Sequence, residues 1–105
     1  MKTNIALLIF LAFATFTSCK KESTSDGTLN GYSANGIFVV NEGSFNNGNA
    51  SISYISPDNA VLNDIFDVVN GKNLGDVAQS FTIHNDKAYI VVNNSQKIEI
   101  CTLND

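Results

Sequence analysis

One stretch of this chain occurs twice, and that recurrence limits the folds open to it. Gly36-Ile37-Phe38-Val39-Val40-Asn41 matches Ala88-Tyr89-Ile90-Val91-Val92-Asn93: an aromatic residue, an aliphatic trio or pair, and a closing asparagine. A second strand-like segment and a turn follow each copy, so Ser51-Ile52-Ser53-Tyr54-Ile55-Ser56-Pro57-Asp58 corresponds to Lys97-Ile98-Glu99-Ile100-Cys101-Thr102-Leu103-Asn104. The first segments start 52 residues apart (36 against 88) and the second 46 (51 against 97), because the loop from Glu42 to Ala50 is longer than its counterpart. A period of about 40–50 residues with four short strands per unit is that of a β-propeller blade.

The strand signals are consistent with that period. Ile37–Val40 is β-branched and aromatic and ends at Asn41-Glu42-Gly43. Ser51–Ile55 alternates polar and apolar residues and turns at Ser56-Pro57-Asp58-Asn59, and Ala60–Phe66 is a further short apolar run. Phe81–His84 alternates again before the hairpin pair Asn85-Asp86, and Ala88–Val92 and Lys97–Ile100 complete the set. No segment beyond the first eighteen residues keeps a helical period for three turns, so the folded part is expected to be all-β.

The N-terminus is of another kind. Met1-Lys2-Thr3-Asn4 carries one positive side chain, and Ile5–Phe16 is an almost wholly apolar run of about a dozen residues. That is too short for a bilayer core, which needs about 20 residues, but suits the apolar region of a signal peptide. Phe16-Thr17-Ser18-Cys19 resembles the lipobox of bacterial lipoproteins, with Phe16 in place of the usual leucine. That resemblance implies removal of residues 1–18 and acylation of Cys19 with palmitate-type chains; stable anchoring takes more than one chain. Lys20 to Thr28 is small and polar, so residues 19–35 are expected to be a flexible tether. Its short charged start is similar, in part, to the surface-export signal of Bacteroidota lipoproteins.

Composition removes one class of partner. Six basic against ten acidic residues, a formal charge of -4, leave no basic stripe to follow a phosphate backbone, so nucleic acid is not an expected partner. Of the two cysteines, Cys19 is assigned to the lipid, and Cys101 lies in the apolar-rich run Ile98–Leu103, where it serves as a small strand hydrophobe. His84 is the single histidine, and no CxxC, GxGxxG or P-loop spacing occurs. Ser80 and Asp76 are its nearest partners for a triad, but Gly75-Asp76 fits a turn entering a strand. Asp58, Asp64, Asp67, Asp76 and Asp86 never take the alternate spacing of a calcium loop. The asparagines Asn41, Asn46, Asn47, Asn49, Asn93 and Asn94 suit turns. Tyr54 and Tyr89 occupy strand positions, where core packing outweighs contact with a glycan. No catalytic, metal or cofactor residue is therefore assigned.

Asn41-Glu42-Gly43-Ser44-Phe45, Asn49-Ala50-Ser51-Ile52-Ser53, Leu74-Gly75-Asp76-Val77-Ala78-Gln79-Ser80 and Tyr89-Ile90-Val91-Val92-Asn93-Asn94 resemble the opening of YncE-like propeller lipoproteins of Bacteroidota. The resemblance implies a partial propeller over residues 36–105, about one and a half four-stranded blades. Residues 36–66 would give the outer three strands of one blade and residues 74–104 the inner three of the next. It implies a cell-surface lipoprotein of the outer membrane, with the periplasmic face as the alternative. It implies a non-enzymatic binder of a small molecule, with a corrinoid such as cobalamin and a TonB-dependent transporter as partners. Since such propellers have about seven blades, the chain is expected to be a fragment of a longer one, with a small β-sandwich or barrel as the other architecture. The competing functions are a lactonase-like propeller enzyme and an inactive truncated piece.

Overall fold

A computed structural model describes residues 26–32 and 35–103. The signal peptide, Cys19 and the start of the tether lie outside the described residues. Seven strands and one short helix make two sheets: β1 (Asp26–Thr28), β2 (Ile37–Asn41), β3 (Ser51–Ile55), β4 (Val61–Leu62), α1 (Ile65–Asn70), β5 (Ala78–His84), β6 (Lys87–Val92) and β7 (Lys97–Thr102). The fold is all-β, as the alternating segments require, and among the described residues the sheets do not close into a barrel.

The smaller sheet is the meander β2-β3-β4, and the larger has the order β1-β7-β6-β5. In the larger sheet β5, β6 and β7 form a second antiparallel meander, and β1 adds to the outer edge of β7 in parallel. The repeat is visible as two equivalent hairpins. β2 pairs β3 from Ile37↔Ile55 to Asn41↔Ser51, as β6 pairs β7 from Lys87↔Thr102 to Val92↔Lys97.

Two segments differ from the expectations of sequence. Part of the stretch assigned to a tether over 19–35 is strand, because its contacts come from backbone and from the absence of a side chain. Gly27 is buried where a Cβ would lie 2.9 Å from Cys101 Sγ and 3.3 Å from the Phe66 ring. Asn70 accepts from Thr28 N–H (2.7 Å) and donates to Thr28 C=O (2.8 Å), as a neighbouring strand would. Leu29, fully buried, then donates its N–H to Thr102 C=O (2.8 Å). The run Ala60–Phe66, expected as one strand, splits at Asn63-Asp64. Asp64 takes a left-handed φ of 54°, ending β4 and opening α1, whose Ile65 and Phe66 turn into the core. Gly71, left-handed at φ 63°, closes the helix with its N–H on Asp67 C=O (2.8 Å).

One core joins both sheets. Ile52 and Tyr54 of β3, Ile65 and Phe66 of α1, Leu74, and Ala88, Ile90 and Val92 of β6 are buried together with Cys101 of β7. Full burial of a Leu, Ile or Phe side chain contributes roughly 1.5–3 kcal/mol, so this set dominates stability. Rings cross the gap between sheets: Phe38 stacks on Phe81 with centroids 4.8 Å apart, and Tyr54 meets Phe38 at 5.0 Å and Tyr32 at 5.2 Å.

A carboxylate is buried with them. Glu99 faces inward beside Cys101, and its oxygens take Lys97 Nζ at 2.6 Å and Lys72 Nζ at 3.4 Å. The neighbouring Ile98 is turned out and 52% exposed.

Candidate functional site

The segments quoted above for their family resemblance fall in three separate stretches of the chain, the β2–β3 loop with its flanks, the approach to β5 and the end of β6, and the fold brings them to one end of the sheets. The first is the long β2–β3 loop, residues 42–50. It turns on left-handed residues Gly43, Asn46 and Gly48 (φ 80°, 64° and 60°) and is tied internally by Asn47 N–H on Ser44 C=O (3.0 Å) and Ser44 N–H on Asn49 Oδ1 (2.8 Å). At its root Asn41 donates Nδ2 to Ser51 Oγ (3.1 Å) and Ser53 Oγ (2.9 Å), and Ser53 donates to Asn63 Oδ1 (2.9 Å). The asparagines read as turn formers therefore also brace strands.

The second segment, Gly75-Asp76-Val77-Ala78, crosses between the loops. Ala50 N–H donates to Gly75 C=O (3.0 Å), Ala78 N–H to Glu42 C=O (3.2 Å), and Asn93 N–H to Val77 C=O (2.8 Å). Asp76 is the hub. Its Oδ2 accepts from Asn46 N–H (2.8 Å) and Asn94 Nδ2 (2.6 Å), and its own N–H donates to Ser95 Oγ (2.8 Å). Asn94 Nδ2 also reaches Asn46 Oδ1 at 3.1 Å. The other carboxylate oxygen, Oδ1, is buried with no partner among the described residues.

This junction is strained. Gly75 has φ 126°, and a Cβ there would lie 2.6 Å from Ser95 Oγ, so glycine is required. Val77 is buried and sits at φ 59°, a region β-branched residues very seldom enter, at a cost of order 1–3 kcal/mol. The Asn93 N–H bond and the burial of the Val77 side chain hold it there.

Beside the junction lies an open cleft of about 640 Å³, lined by Val40 and Glu42 on one side and Ala78, Gln79, Ser80 and Val91 on the other. Gln79 is the extra residue of a β-bulge: Ala78 pairs Val92 and Ser80 pairs Val91, which leaves Gln79 without a strand partner. Phe45, 69% exposed, stands on the loop next to Asn46. The rim is thus rich in amide and hydroxyl groups around small apolar patches, a lining suited to hydrogen-bonding a polar small molecule.

The remaining candidates lie elsewhere. His84 is exposed at the opposite end of β5, six residues from Ala78 and so about 20 Å away, and it meets neither Asp76 nor Ser80. Tyr54 is a core residue, and Tyr89 is half-buried in β6. Cys101 is buried in β7 against Gly27. No group of three His, Cys, Asp or Glu able to hold a metal occurs among the described residues. Asp67, below the core, has its carboxyl pushed above the usual range by burial, against the lowering effect of Leu74 N–H; the charge of Asp64 adds to the rise. Sequence reasoning missed the junction around Asp76. Its one legible signal was the density of Gly, Asn and Ser at three separate places.

A family model described as Domain of unknown function (DUF5074) matches residues 35–101, more than half of the chain. No curated protein matches it.

Proposed function

The chain belongs to the DUF5074 family, and from that premise we propose that it is a lipid-anchored, non-enzymatic binding protein displayed on the outer membrane. In this reading Cys19 carries the lipid, and the two meanders are successive blades of a YncE-like propeller. The loop end around Asp76 is the face that meets a small polar ligand, of corrinoid type, for delivery to a TonB-dependent transporter. The observation that carries the binding half is the convergence of three distant segments into one strained, hydrogen-bonded rim beside an open cleft. Rigid loops on a β scaffold are the usual place for recognition, and unusual backbone geometry concentrates at such places.

Both halves are testable on the full chain expressed with its own N-terminus. Cys19→Ala should leave the protein uncleaved or soluble and out of the detergent-extracted envelope fraction; a substituted chain that stays cleaved and membrane-bound contradicts the anchor. Titration of the purified chain with cobalamin should give saturable binding without chemical change to the ligand. Absence of saturation removes the corrinoid, and turnover of the ligand removes the non-enzymatic reading.

A further inference from the structure

β1 fixes the side from which the chain enters the fold. It pairs β7 in parallel, with Asp26 opposite Ile100 and Thr28 opposite Thr102. β7 itself starts at Lys97, directly after the turn 93–96 that carries Asn94 and Ser95 of the Asp76 junction. The chain therefore enters β1 from the side of the loop end and runs away from it. Asp26 lies seven residues after Cys19, a reach of at most roughly 25 Å at full extension. A six-residue strand such as β7 is itself about 20 Å long. A lipid on Cys19 thus keeps one end of the sheets close to the bilayer, and the polarity of β1 favours the loop end.

The two ends differ in what they present to such a surface. At the loop end, residues 43–50 and 93–96 contain no charged side chain, and Phe45 stands 69% exposed. The charges nearby are mostly set back: Asp76 is bonded to Asn46 and Asn94, and Lys72 and Lys97 to the buried Glu99. Glu42 is exposed at the root of the loop. At the other end, the turns 56–59 and 84–87 expose Asp58, His84, Asp86 and Lys87. Ionised groups lose their hydration on entering a lipid interface, whereas amides, hydroxyls and an exposed aromatic ring suit the headgroup layer.

We propose that the loop end is the membrane-facing end, and that the surface it meets is the lipid bilayer itself, with Phe45 set into the headgroup region. The proposal rests on the anchor at Cys19. It turns the rim around Asp76 toward the plane of the membrane, where a transporter receiving the ligand would lie.

The lipidated full chain, reconstituted into phosphatidylethanolamine–phosphatidylglycerol vesicles with no other protein, tests it. Asn47→Cys and Lys87→Cys place one environment-sensitive fluorophore at each end, while Cys101, fully buried, takes no label. Nitroxide-bearing lipids should quench the label at 47 roughly threefold more than the label at 87, and Phe45→Ser should lower the quenching at 47 about twofold. Equal quenching at the two labels, stronger quenching at 87, none at either, or quenching at 47 indifferent to Phe45→Ser would each overturn the proposal. A loop end that meets only another protein gives no quenching in these vesicles and overturns it in the same way. Flotation separates this result from the anchor. A chain that floats with the vesicles and shows any of these patterns overturns the orientation alone; a chain that does not float removes the anchor, and the proposal with it.

Discussion

At one end of the larger sheet, β5 turns into β6 through Asn85 and Asp86, both left-handed (φ 48° and 56°). That is the geometry of a two-residue hairpin turn, and the two side chains that best tolerate it occupy it. Leu103 N–H donates to Asp86 C=O (2.8 Å) and ties the turn to the rest. At the other end, residues from the β2–β3 loop, the approach to β5 and the β6–β7 turn are held together by contacts spanning 18 to 48 positions in the chain. The first end is dictated locally. The second exists only when the whole fold is present, and it stores strain at Val77 that local sequence would not choose. The contrast explains why the cleft and the amide rim are found at the second end: only there can sequence outside the strands be held rigid without itself being regular.

The sharpest way to break this contrast is to put an alanine at each end. Gly75→Ala meets both a φ of 126° and the Ser95 hydroxyl, and should destabilise by ~3 kcal/mol in urea unfolding. Asn85→Ala, at a turn that tolerates small changes, should cost ~1 kcal/mol. Equal losses at the two positions would show that the junction is no more constrained than the hairpin. The next effect is smaller. Asp76→Ala removes the acceptor for Asn46 N–H and Asn94 Nδ2 and also relieves one unpartnered oxygen. Two lost bonds less that relief leave ~1–2 kcal/mol, and amide exchange should quicken at Asn46 and Asn94 but not at Asp86.

The smallest effect is a pH dependence. Burial raises the Asp67 carboxyl above its ordinary value of 3.8, so between 3.8 and the raised value the folded state holds the proton that the unfolded state has released. Stability should therefore fall as pH rises through that window and level off above it. Asp67→Asn keeps an acceptor for Leu74 N–H and should flatten that part of the stability–pH curve. A slope unchanged in the substituted chain would assign it to another group.

Much of the scaffold was legible in the residues. β2, β3, β6 and β7 lie where period-two alternation and β-branched runs place them, and the repeat correctly paired β2 with β6 and β3 with β7. What escaped did so for stated reasons. β1 is held by a glycine's missing side chain and by Asn70 acting as a strand neighbour, neither of which shows in a polar, small-residue composition. α1 has two turns at most and hides inside an apolar run until Asp64 breaks it. In β7 the period-two rule taken alone would bury Ile98, whereas Glu99 is inside, because two lysines from different segments cover its charge. The junction at Asp76 depends on long-range pairing, and a single sequence does not encode that in any local pattern.

The central claim is that the strained loop end, and not the hairpin end, is the binding face. Amide chemical-shift mapping of the isotopically labelled full chain during a cobalamin titration tests it most directly. The account predicts shifts concentrated at Asn46, Asp76, Gln79 and Asn94, with Asn85 and Asp86 unmoved. Shifts confined to the hairpin end, or spread over the core without reaching Asp76, would contradict it.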